Sequence, residues 1–420
     1  MPTVAAVCFC AGLAWDRLAP SGPPVVAAAV EVATAAPAAA PAVAPAADSD
    51  ANDGEAFLSI PQPDAGEFAP QAALILSAKE LAVCLPDVFR DIVQAAQGHV
   101  PVLCLASDAS DRQAALRVLR RAGLGDDAVR FVSMPLDTMW VRDYGPFFAR
   151  RPNGGVWVLD ADYSPADDGA EVRWRDNNAP RLIGSALGLP VEALPLRLAG
   201  GNVLTNGGGL VVTTAEVLRD NADRGYDAAT IQRLLLRHLG CDRWICLPEL
   251  DDERTGHVDM YVTFTAENVA VVSRLDKQSD PVNAAILDAA ARQLEGAATR
   301  LGPMKVYRIP MEPGSDGVWR SYTNVIYANG VLMVPSFRSA DKDRQDAAMS
   351  LYARLLPGWK IVAIPCDDLA RNEGLLHCIC RNVPQYVPVR VRPGCEGDDG
   401  LDLALVSGAD GQAMPAGPDE

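Results

Sequence analysis

From about residue 67 to residue 393, short apolar β-prone runs alternate with amphipathic helical stretches, and this alternation is the strongest constraint on the fold. Strands are expected at 72–77, 100–105, 129–133, 155–159, 210–213, 258–263, 269–272, 325–334 and 359–364. Helices are expected at 86–97, 111–122, 228–239, 281–294 and 343–355, the second of them capped by Ser110. Groups of strand, strand and helix return roughly every 50 to 80 residues. The pattern predicts an α/β fold with internal repetition, although no repeat of the residues themselves accompanies it.

The flanks have a different texture. Residues 1–55 are dominated by Ala, Pro and Val and lack the bulk for a core, so a disordered tail or an export segment is expected there. Residues 3–14 are apolar, but no Lys or Arg precedes them as in a secretory signal. A cytoplasmic location is therefore preferred, with export to a periplasm or beyond as the alternative. Residues 56–395 are expected to form one catalytic domain, and 396–420 an acidic disordered tail. The net charge of −17 is concentrated in these flanks: −5 falls on 1–55 and −7 on 396–420, leaving −5 for the 340 residues between. Such a chain is a poor partner for nucleic acid or an anionic membrane. No run has the length and Leu/Ile/Phe richness of a membrane span. The 10 cysteines have no spacing of a disulfide framework.

Four segments carry potential chemistry. Thr255-Gly256-His257-Val258-Asp259 opens an apolar run, and strand alternation would put His257 and Asp259 on one face about 7 Å apart. A histidine bonded to a carbonyl beside a turn aspartate would read the same way. Leu376-His377-Cys378-Ile379-Cys380, read as a strand, would turn His377 away from Cys378, leaving His257 as the partner able to lower a thiol pKa. The alternative is a buried structural cysteine. A zinc site at Cys378 and Cys380 lacks a second ligand pair at suitable spacing, so no metal is expected. Trp140-Val141-Arg142-Asp143-Tyr144-Gly145-Pro146, at an expected strand-to-turn boundary, combines an aromatic ring with a carboxylate, which suits a planar cation. An Arg142–Asp137 ion pair with Trp140 in the core would explain the same residues. Gly200-Gly201-Asn202 would let backbone approach a ligand, and Asn206-Gly207-Gly208-Gly209 reads as a hairpin turn. Neither matches a phosphate-binding loop.

In combination, these segments resemble the agmatine deiminase and bacterial peptidylarginine deiminase family. The resemblance runs from Gly66-Glu67-Phe68-Ala69-Pro70-Gln71 through the Trp140, Gly200 and Thr255 segments and Ser321-Tyr322-Thr323-Asn324 to Leu376-His377-Cys378, about three quarters of the chain. It implies a pentein fold, an α/β propeller of five ββαβ-type units about a pseudo-fivefold axis. It implies Cys378 as nucleophile, His257 as general acid and base, and Asp143 and Asp259 as clamps on a guanidinium. Asn324 resembles a substrate-side hydrogen-bonding residue, and Trp140, Arg142, Gly201 and Asn202 fall in the segments expected to bind substrate. The implied reaction converts the guanidinium of agmatine or of arginine in peptides to a ureido group and ammonia, without a cofactor.

Three departures leave the substrate open. Ala199 stands where many agmatine deiminases carry an acid. The stretch from Asp162 to Asp168 has no arginine to hold a terminal carboxylate, though Arg173 and Arg175 follow. The glycine pair often found before the cysteine is missing. The expected partner is thus a cationic guanidino molecule or an arginine peptide, with a homo-oligomer as a further expectation left open. A Cys-His peptidase would have no use for Asp143, and a non-catalytic exported binding protein would need none of these groups.

Overall fold

The computed structural model describes residues 65–163, 173–312 and 316–390. The tails expected at 1–55 and 396–420 lie outside the described residues. Among those residues, five sheets share one internal plan: an antiparallel pair followed by a parallel neighbour. Phe147–Arg150, Val156–Asp162 and Val191–Arg197 form the first. Leu204–Thr205, Leu210–Thr214 and Arg243–Leu247 form the next. Val262–Ala266, Val269–Arg274 and Lys305–Pro310 follow, then Ile326–Tyr327, Val331–Ser336 and Lys360–Pro365. The fifth joins both ends of the described chain: Cys380–Pro384 pairs antiparallel with Gln71–Ser77, which pairs parallel with Val102–Ala106, itself parallel to Arg130–Ser133. A parallel step cannot be made by a tight turn, and helices cross over each one: Pro86–Ala96, Ala109–Arg121, Ala179–Leu187, Ala228–Leu239, Pro281–Glu295 and Lys342–Leu355. The repetition heard in the sequence spacing is therefore structural.

Helix Ala228–Leu239 shows how local sequence sets these elements. The Asp227 side chain accepts from the Thr230 N–H at 2.8 Å, and Gly240 takes the left-handed conformation (φ 67°) that ends the helix. Ile231, Leu235 and Leu239, four residues apart, bury one stripe against the neighbouring sheet. Each such side chain contributes about 1.5–3 kcal/mol on burial.

Several expectations need correction. Residues 325–334 form a hairpin, not one strand. Asn329 and Gly330 have φ 45° and 89°, the positive values of a two-residue turn, and Ala328 and Val331 exchange backbone bonds across it. The helix expected at 111–122 begins at Ala109, and Asp108 rather than Ser110 caps it, accepting from Ser110 and Asp111 N–H. The strand expected at 258–263 starts only at Val262, because Val258–Met260 form a 3-10 turn. Asp143 sits in a short helix, Val141–Tyr144, that precedes the strand Phe147–Arg150.

Candidate active site

The residues picked out by sequence occupy equivalent places in the repeats. Asp143, Asn202, Asp259, Asn324 and Cys378 each lie two to four residues upstream of the first strand of a sheet. Roughly 55–65 residues separate them in the chain, yet the strand entrances converge: Asp143 accepts from the Gly201 N–H, Asn202 accepts from the Val258 N–H, and Asn324 lies against Cys378.

His257 is the hub. Its Nδ1 lies 3.5 Å from Asp143 Oδ1 and its Nε2 3.6 Å from Glu216 Oε2. Burial alone would depress the imidazole, but Glu216, Asp143, Asp259 and Glu253 outweigh it and hold His257 protonated, up to about 9. Burial drives Glu216 up to about 8 against the pull of His257. Asn202 fixes that carboxylate by donating to Glu216 Oε2 at 2.9 Å. Its own Oδ1 accepts from Thr214 N–H at 2.8 Å and Val258 N–H at 3.3 Å, tying the Gly200–Asn202 turn to the histidine turn. Gly201 is packed against the site itself. Its N–H donates to Asp143 Oδ1 at 3.1 Å, and a Cβ there would lie 2.6 Å from His257 Nδ1 and 2.7 Å from Asp143 Oδ1.

Cys378 is buried in a turn that leads into the strand Cys380–Pro384, so the alternation expected around it does not occur. Asn324 stands beside it, its Nδ2 3.5 Å from Sγ, and accepts the His377 N–H at 2.7 Å. Burial, then the Asp259 and Asp143 carboxylates, push the thiol well above its usual range. Asp143 is likewise pushed up by burial and by Asp259, against His257. A thiol pushed up by burial and a protonated imidazole thus share the site with the Asp143 and Asp259 carboxyl groups, a setting that suits a cation.

His377 does not turn away from the site, contrary to expectation. Its Nδ1 meets Asp259 Oδ2 at 2.6 Å. Asp259 Oδ1, also buried, has no hydrogen-bond partner among the described residues. Arg142 is buried beneath the chamber, where its guanidinium binds Glu67 Oε1 at 2.6 Å, the His377 carbonyl at 3.2 Å and Asn382 Oδ1 at 3.3 Å. These bonds make it a support for the cysteine turn. The Arg142–Asp137 pair is absent, because Asp137 faces Arg175 at 3.4 Å. Trp140 packs on Gly374, in the approach to the same turn, leaving no room there for a Cβ.

Sequence reasoning gave no role to Glu216 or Glu67. Glu216 follows the buried strand Leu210–Thr214 and opens a short helix, a strand-exit acid that could have been noticed. Glu67 stands in a segment already singled out. No group of three or more His, Cys, Asp or Glu placed to hold a metal occurs among the described residues. No helix there is long and apolar enough to cross a membrane.

A thiol, an imidazolium and two carboxylates gather around one buried acceptor that has no partner among the described residues, and the relatives place the chain among the hydrolases of guanidino carbon–nitrogen bonds. Residues 67–384 match the Porphyromonas-type peptidyl-arginine deiminase family, and the chain belongs to it. Agmatine deiminase from Ectopseudomonas mendocina (strain ymp) is 29% identical over 297 residues, covering 63% of this chain and 79% of the relative. That from Pseudomonas fluorescens (strain SBW25) is 28% identical over 300 residues, with the same shares. Among solved structures, the agmatine deiminase of Enterococcus faecalis superposes with a TM-score of 0.66 at 20% identity, covering 78% of this chain and 97% of that one. The C. jejuni agmatine deiminase gives 0.61 at 19%, covering 80% and 96%. These likenesses show a shared mixed α/β pentein fold.

Proposed function

We propose that this chain deiminates agmatine, with Cys378 as nucleophile and His257 as general acid and base. The observation that carries the reading is the buried, unpartnered Asp259 Oδ1 in a cluster with Asp143, His257 and Cys378. A guanidinium supplies the donors that Asp259 Oδ1 lacks, and it pairs with carboxylates in a planar, directed way. The named agmatine deiminases among the relatives support this choice of substrate.

The cation offsets the carboxylates that hold the Cys378 thiol up, so the thiol proton leaves for water once substrate is bound. The thiolate adds to the guanidinium carbon and the C=N electron pair moves onto nitrogen. His257 gives its proton to the departing amino group, and ammonia leaves as the C–N bond breaks. The thiouronium that remains is attacked by a water whose proton passes to His257. The C–S bond then breaks, returning the thiolate, and the remaining hydroxyl proton passes to solvent as the C=O forms and the ureido product leaves. Asn324 steadies the sulfur from one side. The shared plan of the five sheets, and the pairing of Cys380–Pro384 with Gln71–Ser77, further support an arrangement as five blades about one pseudo-axis with the site at its centre.

A second reading, arginine in peptides, has its own support. Arg173 donates to the Tyr163 hydroxyl at 3.0 Å, and both groups lie near enough to Asp143 to feel its charge. A guanidinium there suits a substrate carboxylate, which agmatine lacks. Incubation with agmatine, arginine and arginine-terminated peptides, with ammonia and ureido product measured, decides between them. No release from any of the three would refute the deiminase reading.

A further inference from the structure

A line of alternating charge runs beneath the chamber. Asp259 Oδ2 meets His377 Nδ1 at 2.6 Å, His377 Nε2 meets Glu67 Oε2 at 2.8 Å, and Glu67 Oε1 meets Arg142 at 2.6 Å. The His377 and Asp259 side chains are only 4% and 2% exposed, so water cannot mediate these contacts freely. Each ring nitrogen of His377 faces a carboxylate oxygen. A carboxylate offers only lone pairs, and a neutral imidazole has a single N–H, so a neutral His377 would set one lone pair against another. The contacts are satisfied only when both nitrogens carry protons.

We infer that His377 is a positioning residue, bridging Asp259 and Glu67 as a permanent imidazolium, that holds Asp259 by Oδ2 and leaves Oδ1 for the substrate cation. This rests on the reading of Asp259 as a guanidinium clamp. The charged groups that face His377 are Asp259, Glu67 and Arg142. Burial and Arg142 oppose its charge, yet Glu67 and Asp259 prevail and raise it. Glu67 is itself held ionised, against burial, by Arg142, His377 and Arg381. With Oδ2 bound to His377, Asp259 keeps Oδ1 free to accept from a ligand. The two histidines thus divide the labour: His257 exchanges protons during turnover, while His377 keeps its own.

Two measurements test this on the full chain. The first is the 15N imidazole spectrum of the substrate-free protein from pH 6 to 9. Four histidines are present, so H99Q, H238Q and H257Q assign the fourth signal. His377 is expected to show two protonated nitrogens throughout, and a neutral tautomer at pH 7 would overturn the proposal. The second is kinetics of H377Q and E67Q on the guanidino compound that the wild type hydrolyses fastest. H377Q should lose about 100-fold in kcat/KM, the scale of a misplaced clamp. The loss should fall mainly on KM, because the clamp on the substrate cation is misplaced, and E67Q should lose less in the same way. Kinetic constants equal to those of the wild type would show a merely structural histidine. If the wild type released no ammonia from any guanidino compound, the function would fail on its own, and the spectrum would still decide the charge of His377.

Discussion

Gly201 faces His257 across a gap that no side chain can enter: a Cβ at residue 201 would stand 2.6 Å from Nδ1 of the imidazole. The same atom would crowd Asp143 Oδ1 and lie 3.1 Å from Asp259 Oδ2. One missing methyl thus sets the spacing of three side chains that share the chamber. Gly201→Ala should displace them and lower kcat/KM by about 100-fold, with a stability cost of about 1–3 kcal/mol from overpacking. Steady-state kinetics beside urea unfolding checks it, and wild-type activity in the variant would refute the packing argument.

Cys378→Ala should reduce turnover a thousandfold or more, on the order expected when a nucleophile is removed. The side chain is small and its strongest polar neighbour is Asn324 at 3.5 Å, so folding should survive with a loss of about 1 kcal/mol. Circular dichroism and ammonia release measured on one preparation separate these effects. Retained turnover would assign the nucleophile elsewhere.

Glu216 gives the largest upward push on His257. In Glu216→Gln that push is gone, and the alkaline limb of kcat/KM, set by loss of the imidazolium proton in the free protein, should move below about 9 by on the order of one pH unit. The pH–rate profile of the variant reads this directly. An unmoved limb would detach Glu216 from the histidine.

Stability without substrate should fall as the pH rises from 6.5 to about 9. His257 is raised from 6.5 to about 9, so its contribution is complete below 6.5 and fades as the folded protein loses that proton. Glu216, raised from 4.5 to about 8, favours the fold when neutral, and its contribution fades over 4.5 to 8. Both act in one direction above neutrality. Urea midpoints at several pH values should decline across this window, and should decline less in His257→Gln. A flat curve in the wild type would contradict the charge assignment.

Asn329 binds the first strand from across the chain: it accepts from Gln71 N–H at 2.7 Å, and its amide donates to Gln71 O at 2.9 Å and His99 O at 3.1 Å. It does so from the positive-φ corner of its hairpin. Asn329→Ala removes three bonds and puts alanine in a left-handed conformation, which should cost about 2–4 kcal/mol. Calorimetry would show it, and an unchanged Tm would mean that the hairpin is held by other contacts.

The sequence carried the alternation of strand and helix well, because helices such as Ala228–Leu239 are set by their own caps and stripe. It carried the identity of the chamber residues too, since a thiol, histidines and acids in short motifs are visible without a structure. It did not carry their geometry. His257 and Asp259 were expected on one face of a strand, and a 3-10 turn brings them together instead. His377 was expected to point away, and a turn aims it at Asp259. Glu216 and Glu67 were passed over because their meaning lies in partners 41 and 310 residues distant, at His257 and His377. Contacts between strand entrances depend on pairing across the whole domain, and no local pattern records them.

The pairing of Cys380–Pro384 with Gln71–Ser77 also sets a timetable. A chain emerges from the ribosome N-terminus first, so the turns bearing Asp143, His257 and Asp259 are made while Cys378 is still unsynthesised. The acidic chamber acquires its sulfur only when the last described strand finds the first. An unfinished chain therefore lacks the proposed nucleophile, and on that reading chemistry begins only once Cys380–Pro384 has met Gln71–Ser77.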